Sequence, residues 1–376
     1  MKFILHVVAN PQIPTDPQYS IDAFTCLIIK FCKLFHKKKH IIHFYGVEEC
    51  KNFVNHTFYH NIINLGEYEI VNKLSDNFTN PEYTMYGSEL QKKARSLVKK
   101  FESNLKLSLE KNYQKKDLVI HCFDNFINGY SKEMIHIKLS LMGGWWDNYK
   151  YISFATDSYM KHELNKKKNN NILIKKVIYP WFHLTDFDYN PNIKRKNTFL
   201  YLARCHKFKG ILKFFELANQ FKNYNFWIAG GCNSYDHLSM IMDIGLNIKI
   251  NLNEYKNVKY WGVANEKLRK ELLAKATALI QPTEYFEPCG MNVIESMISG
   301  TPVLVPNFGG FLDTVVDGIT GFICKPNEWA KNLSKINSLN SYDCRKYSLE
   351  KFNESIAYKE YYNFFSEILE KELNEF

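Results

Sequence analysis

Short apolar runs alternate with amphipathic segments along most of the chain, a pattern that predicts strands followed by helices. In the first half the predicted strands cover residues 3–8, 41–46, 117–121 and 151–155. Helical spacing of apolar residues predicts helices at residues 21–34 and 89–109, and the second of these is rich in lysine. Val177 and Ile178 then lead into "YPWFHLTDFDYNPNIKRKN", a polar stretch with prolines that is typical of an interdomain linker.

The alternation starts again after this linker. The second series of predicted strands covers residues 198–203, 225–229, 258–261, 278–281 and 302–305, with predicted helices at 210–221, 267–276 and 292–299. Strands that alternate with helices indicate parallel sheets covered on both faces. Two such series predict an α/β protein with two doubly wound, Rossmann-like domains that face a cleft, where ligands bind beyond the carboxyl ends of the strands.

Composition limits the class of protein without naming its activity. The 376 residues are 45% hydrophobic and 23% charged, as in ordinary globular proteins, and the formal net charge is +10. Much of the lysine occurs beside asparagine, so the charge fits either a solvated face or a patch for an anionic membrane or polyanion.

The cysteines and the apolar runs bear on the compartment. Nine dispersed cysteines without a C-x-x-C pair indicate reduced thiols rather than disulfides or a zinc site. The apolar run at the N-terminus is too short for a signal peptide, and no run approaches the length of a membrane span. We therefore expect a cytoplasmic protein whose contact with a membrane, if any, is peripheral.

Several candidate ligand-binding residues fall in one segment, "EYFEPCGMNVIESMISGTPVLVPNFGG" at residues 284–310. Pro288 and Gly290 resist helix formation, so we expect a helix to begin near Met291 or Asn292, with Glu287 in the preceding loop and Glu295 in about the first turn of the helix. The free N–H groups of a helix start suit a phosphate, and carboxylates accept hydrogen bonds from vicinal hydroxyls. The pattern favours a polyhydroxylated diphosphate ligand, although two such glutamates can also serve only to stabilise the positive end of a helix.

The neighbouring residues resemble a known family. The stretch "PTEYFEPCGMNVIESMISGTPVLVPNFGGFLDTVVDGITGF" resembles the retaining, family-4 type glycosyltransferases of the GT-B fold, and "FLYLARCHKFKG" resembles an upstream motif of the same family. This resemblance implies an N-terminal acceptor-side domain at residues 1–185, a donor-binding domain at 186–355 and a final helix at 356–376. It also implies that this helix crosses back to the N-terminal domain; the alternative is a helix packed wholly on the second domain.

The resemblance assigns roles to individual residues. It implies that Arg204 and Lys209 neutralise the donor diphosphate, that Glu287 contacts the transferred sugar, and that Glu295 holds the ribose. It implies further donor contacts near the helix start and the base, from Thr283, Cys289, Gly290, Met291, Asn292 and Val263.

A histidine at the end of a first-domain strand is also typical of the family. His121 occupies this position, so the resemblance implies a catalytic role for it beside Glu287; its alternative role is that of a buried histidine hydrogen-bonded at a strand end. His136 and His183 are weaker candidates.

The chain departs from the family pattern at a few positions. Cys289 stands where an aromatic residue is usual, Asp313 stands where glutamate is commoner, and residues 10–19 lack the glycine pair that many relatives carry. "DFD" at residues 186–188 could suggest a metal site, but it falls in the linker, so we expect neither a metal nor another cofactor.

The implied activity is transfer of a sugar from a nucleoside diphosphate sugar to a glycan, a lipid-linked acceptor or a small molecule, with retention of anomeric configuration. No specific contact with nucleic acid is expected. Two alternatives stay open at this point. One is an enzyme of the same fold that uses sugar nucleotides differently, such as an epimerase or a sugar-phosphate-forming transferase, and the other is a non-catalytic polyanion-binding protein.

Overall fold

The computed structural model describes residues 1–9, 23–47, 58–63, 89–122, 133–140, 148–166, 171–193, 195–231, 234–235, 240–243 and 248–374. Within them the chain forms two parallel sheets, one in each half, as the alternating pattern predicts. The loop at residues 10–19, noted above for its lack of glycine, lies outside these ranges.

The first sheet has seven strands in the order β3-β2-β1-β4-β5-β6-β7, and each neighbouring pair is parallel. The strands are β1 (Ile4–Val8), β2 (Ile41–Val47), β3 (Phe58–Ile63), β4 (Leu118–His121), β5 (Ile135–Ser140), β6 (Tyr151–Phe154) and β7 (Ile174–Val177). The associated helices are α1 (Ala23–Lys37), α2 (Glu89–Asn112) and α3 (Asp157–Lys166). The sequence pattern did not predict β3, β5, β7 or α3.

The second sheet has six parallel strands in the order β13-β9-β8-β14-β15-β16. They are β8 (Thr198–Leu202), β9 (Asn225–Ala229), β13 (Val258–Tyr260), β14 (Ala278–Ile280), β15 (Val303–Pro306) and β16 (Gly321–Cys324). The helices are α4 (Ile211–Gln220), α5 (Glu266–Lys275), α6 (Met291–Ile298), α7 (Phe311–Thr314), α8 (Trp329–Lys335) and α9 (Ser341–Lys351). A small antiparallel sheet of β10 (Ser234–Tyr235), β11 (Met240–Asp243) and β12 (Ile248–Asn251), which was not predicted, lies between β9 and β13 in the sequence.

The last helix, α10 (Glu354–Asn374), packs on the first domain. Tyr361, Phe364, Phe365 and Ile368 are buried in the same cluster as the core of the first sheet. The buried apolar side chains of α10 thus pack on the N-terminal domain, as the resemblance implied.

The linker between the sheets is held at several points. The Phe182 N–H donates to the carbonyl of Phe352 at 2.9 Å, just before α10 begins. The Asp186 carboxylate pairs with Lys30 of α1 at 3.2 Å and accepts from the His183 N–H at 3.1 Å. The first aspartate of "DFD" therefore contacts a lysine and the linker backbone.

Candidate donor-binding site

The site forms where β14 leads into α6. The helix begins at Met291, the first of the two predicted positions, and Gly290 precedes it in a left-handed conformation with φ of 74°. A Cβ at this position would lie 2.5 Å from the Phe311 ring, so the close approach also favours glycine. These constraints fix where the helix starts relative to the loop before it.

The loop that carries Glu287 rests on a glycine pair. The Gly310 N–H donates to the Glu287 carbonyl at 2.7 Å. A Cβ on Gly310 would lie 2.1 Å from the Pro288 carbonyl oxygen, and one on Gly309 would lie 2.9 Å from the Glu287 carbonyl oxygen. The backbone of the loop is thus set by direct contact with "GG".

Lys209, Tyr285 and Glu287 form one hydrogen-bonded cluster. Lys209 Nζ lies 2.7 Å from Glu287 Oε2, with side chains that are 19% and 11% exposed. The Tyr285 hydroxyl accepts from Lys209 and donates to the same Glu287 oxygen. Burial and the neighbouring Glu287 carboxylate raise the pKa of Tyr285, so the phenol stays protonated and acts as this donor.

Tyr285 was missed by the sequence argument. Its position could have indicated the contact. Residues two apart in an extended segment point to the same side, and Tyr285 is two residues before Glu287. The resemblance implies that Lys209 binds the diphosphate and that Glu287 binds the sugar. The structure brings these two residues into direct contact.

Glu295 is the fifth residue of α6 and is buried. Arg269 of α5 places Nε 3.7 Å from Glu295 Oε2, which is an ionic contact but longer than a hydrogen bond. Arg269 was also missed, because nothing in the spacing of residues 269 and 295 indicates that they meet.

The start of α6 offers backbone donors. Within the described ranges, the N–H groups of Gly290, Met291 and Asn292 donate to no other residue. The Asn292 side chain, in contrast, donates to the Leu202 carbonyl at 2.8 Å and to Gln281 Oε1 at 2.7 Å. Met291 and Asn292 therefore offer backbone groups, while the Asn292 amide joins α6 to β8 and β14.

The remaining predicted donor residues differ in exposure. Arg204 is exposed just after β8, and Val263 is 43% exposed in the loop before α5. Thr283 is buried and accepts from Gln281 Nε2 at 2.7 Å, so its hydroxyl supports the loop. Cys289 is buried, and burial raises the pKa of its thiol.

His121 lies inside the first domain, at the end of β4. It is 1% exposed, and its Nε2 lies 2.9 Å from Nδ1 of His136 on β5. Burial lowers the pKa of both rings, that of His136 to about 4, so both are neutral near pH 7. These contacts match the alternative role given above for His121, a buried histidine hydrogen-bonded at a strand end. His183 pairs instead with Glu354 at the start of α10.

The first domain contacts the Glu287 loop directly. The Thr156 hydroxyl donates to the Pro288 carbonyl at 2.6 Å, and the His162 ring stacks on Phe286 with centroids 3.6 Å apart. The Ser158 N–H at the start of α3 donates to Asp313 Oδ2 at 2.9 Å. Asp313, one of the residues that depart from the family pattern, therefore joins the two domains.

Metal-binding clusters and membrane-spanning helices are both absent from the described part of the chain. No cluster of three or more His, Cys, Asp or Glu side chains is arranged to hold a metal ion there. None of its helices combines the length and apolar character required to cross a bilayer.

Comparison with known proteins decides the family of the second half. Residues 185–354 match the sequence profile of the family described as glycosyl transferases group 1. The C-terminal domain is a group 1 glycosyltransferase domain. The site built from Lys209, Glu287 and Glu295 lies within this domain.

Curated relatives match the chain over short segments. The chain is 33% identical over 111 residues to an alpha-1,3/1,6-mannosyltransferase, ALG2, of Dictyostelium discoideum. That segment covers 28% of this chain and 26% of the relative, so the chain matches about a quarter of the relative's own length.

Solved structures match nearly the whole chain. A sucrose-phosphate synthase from Thermosynechococcus elongatus has a TM-score of 0.69 at 14% identity and covers 95% of this chain and 97% of its own. HepE from Anabaena, in complex with UDP-glucose, has a TM-score of 0.64 at 11% identity and covers 98% and 99%. The two sheets around a cleft, with the glycosyltransferase domain second, therefore form the GT-B fold.

Proposed function

We propose that this protein transfers a sugar from a nucleoside diphosphate sugar to an acceptor hydroxyl, with retention of anomeric configuration and without a metal ion. The observation that carries the proposal is the contact between Lys209 and Glu287 beside the open start of α6. Lys209 would bind the diphosphate and Glu287 would bind the sugar hydroxyls. Because the two side chains are in contact, they suit a ligand in which a sugar is bonded directly to a diphosphate. The UDP-glucose complex of the HepE neighbour supports the ligand class.

The reaction follows from the charges of this cluster. The bond between the anomeric carbon and the diphosphate oxygen breaks, and the acceptor oxygen forms a new bond to that carbon on the same face. The acceptor proton passes to the departing diphosphate. Lys209, Arg204 and the N–H groups of α6 would stabilise the negative charge on the leaving group, and Glu287 would orient the sugar through its hydroxyls.

The proposed retention of configuration depends on which carboxylates the site offers. A double displacement needs a carboxylate on the far face of the sugar, and none is identified among the described residues of this site, so departure and attack on one face is the better proposal. The acceptor, whether a glycan, a lipid-linked molecule or a small molecule, would enter from the first-domain side of the cleft. A cytoplasmic location with peripheral membrane contact remains part of the proposal.

A panel of UDP-, GDP- and ADP-sugars tests the proposal. A donor that binds the native state should raise the melting temperature, since ligand binding shifts the unfolding equilibrium. The donor that binds is then incubated with the protein, and hydrolysis or transfer is followed by NMR of the anomeric proton in the presence of EDTA. We expect a product of retained configuration; an inverted product, or activity that requires Mn²⁺ or Mg²⁺, would contradict the corresponding part of the proposal.

A further inference from the structure

Among the acidic side chains near Arg269, Glu295 has the largest electrostatic effect on the guanidinium. Two other acidic side chains near Arg269 already have lysine partners: Glu266 pairs with Lys270 at 2.7 Å, and Asp186 pairs with Lys30 at 3.2 Å. Within the described residues, the cation within 4 Å of the Glu295 carboxylate is Arg269.

The length of this ion pair matters. At 3.7 Å the Arg269 Nε–H makes no hydrogen bond, and this atom is buried without a partner in the described structure. The Glu295 carboxylate likewise makes no side-chain hydrogen bond to a described residue. An ionised carboxylate has about four lone-pair sites for donors, so its acceptor capacity stays open while its charge is compensated.

A buried ionised carboxylate without hydrogen bonds is costly unless another group supplies donors. Two vicinal hydroxyls of a ribose supply two donors to one carboxylate. A guanidinium in ionic contact biases the direction of the carboxylate without occupying those acceptor sites.

We propose that Arg269 is a positioning residue for Glu295, and that the pair selects nucleotides which carry ribose hydroxyls. This inference rests on the proposed function, because it takes the donor to be a nucleoside diphosphate sugar. Arg269 lies on α5, whereas Glu295 lies on α6. The effect of Arg269 on nucleotide affinity should depend on the ribose hydroxyls and not on the phosphates.

Calorimetric titration with UDP, GDP and ADP, and with the 2′,3′-dideoxy form of whichever binds, tests the inference. The wild-type protein should favour the ribonucleotide by about tenfold or more, the range for hydrogen bonds to a charged group. Arg269→Met should reduce affinity for the ribonucleotide about tenfold and leave affinity for the dideoxy form unchanged. Arg269→Lys, which restores the charge without the planar fork, should recover part of the preference.

Matched variants separate this effect from loss of structure. Lys275 lies on the same helix and forms an exposed ion pair with Glu271, with Nζ 2.6 Å from the carboxylate oxygen. Lys275→Met removes this pair and should keep the wild-type preference for the ribonucleotide. Arg269→Gln, which keeps a polar side chain in place, decides the question if Arg269→Met does not fold. The double variant of Arg269→Met with Glu295→Gln should show no greater loss of preference than either single variant.

Two results would overturn the inference. Arg269 variants that retain the wild-type preference, or that weaken both nucleotide forms equally, would show that Arg269 does not act through Glu295. If Lys209→Ala weakens binding of both the ribonucleotide and the dideoxynucleotide while Arg269→Met changes neither, the inference about Arg269 fails and the proposed function stands. If the wild-type protein binds none of the three nucleoside diphosphates, the proposed function fails with it.

Discussion

Phe365 offers a direct test of how α10 is held. Its side chain is 0% exposed, and its ring centroid lies 5.6 Å from that of Phe3, 6.3 Å from Phe31 and 5.6 Å from Phe35. These three partners belong to the first domain, about 330 residues or more away in sequence. Phe365→Ala removes a ring from a closed cluster and leaves a cavity, a change that typically costs about 3–5 kcal/mol.

Urea unfolding followed by circular dichroism and by tryptophan fluorescence measures this cost. The matched control is Leu373→Ala on the same helix, where the side chain is 49% exposed and the expected cost is within about 0.5 kcal/mol. Two domains can unfold in separate transitions, so the loss should appear in the transition assigned to the first domain. Nucleoside diphosphate affinity at low urea should stay at the wild-type value, since no proposed donor contact is altered.

A cost for Phe365→Ala no larger than that for Leu373→Ala would refute the packing of α10 on the first domain. A shift confined to the transition of the second domain would refute it as well, because it would place the buried ring in the other core.

Other changes test the site and the buried histidines. Tyr285→Phe should reduce kcat/KM of the donor reaction about tenfold or more, because Lys209 and Glu287 lose a shared hydrogen-bonding partner; an unchanged value would remove Tyr285 from the site. Glu295→Ala should weaken binding of the bare nucleoside diphosphate, whereas Glu287→Ala should spare that binding and lower turnover of the sugar nucleotide; calorimetry beside turnover assays would expose the reverse assignment. His136 has a folded pKa of about 4, below its ordinary value, so the unfolded chain binds more protons between these limits. The free energy of unfolding should therefore fall as the pH drops from about 6.5 towards about 4, by up to about 3 kcal/mol, and pH-dependent urea unfolding should show a smaller fall for His136→Asn.

Much of the second domain could be predicted because its elements carry strong local signals. The strand at residues 225–229 matches β9, and Pro288 and Gly290 correctly placed the start of α6. These signals are backbone preferences and apolar periodicity, which act within a few residues of sequence.

The missed elements lack such signals. β7 has the sequence IKKV, and α3 has the sequence DSYMKHELNK with two buried residues, so neither shows the apolar pattern of a core element. β5 alternates isoleucine and leucine with His136, Lys138 and Ser140, and the polar face is buried in the folded domain. Burial of that face depends on neighbours that are distant in sequence.

Distance in sequence also explains which parts of the site could be predicted and which could not. Glu287, Glu295 and Lys209 stand in recognisable motifs, so the sequence could indicate them. The contact of Arg269 with Glu295 and the contacts of Thr156 and His162 with the Glu287 loop join residues that only the tertiary fold brings together.

The contacts between the first domain and the Glu287 loop have a mechanical consequence. Any rotation that opens the cleft must stretch or break the Thr156 hydrogen bond to Pro288, the Ser158 hydrogen bond to Asp313 or the stack of His162 on Phe286. The loop that carries Glu287 thus links the two domains. A ligand that fixes this loop should stiffen the whole molecule, and by reciprocity a rigid-body twist of the domains should change how tightly that ligand is held.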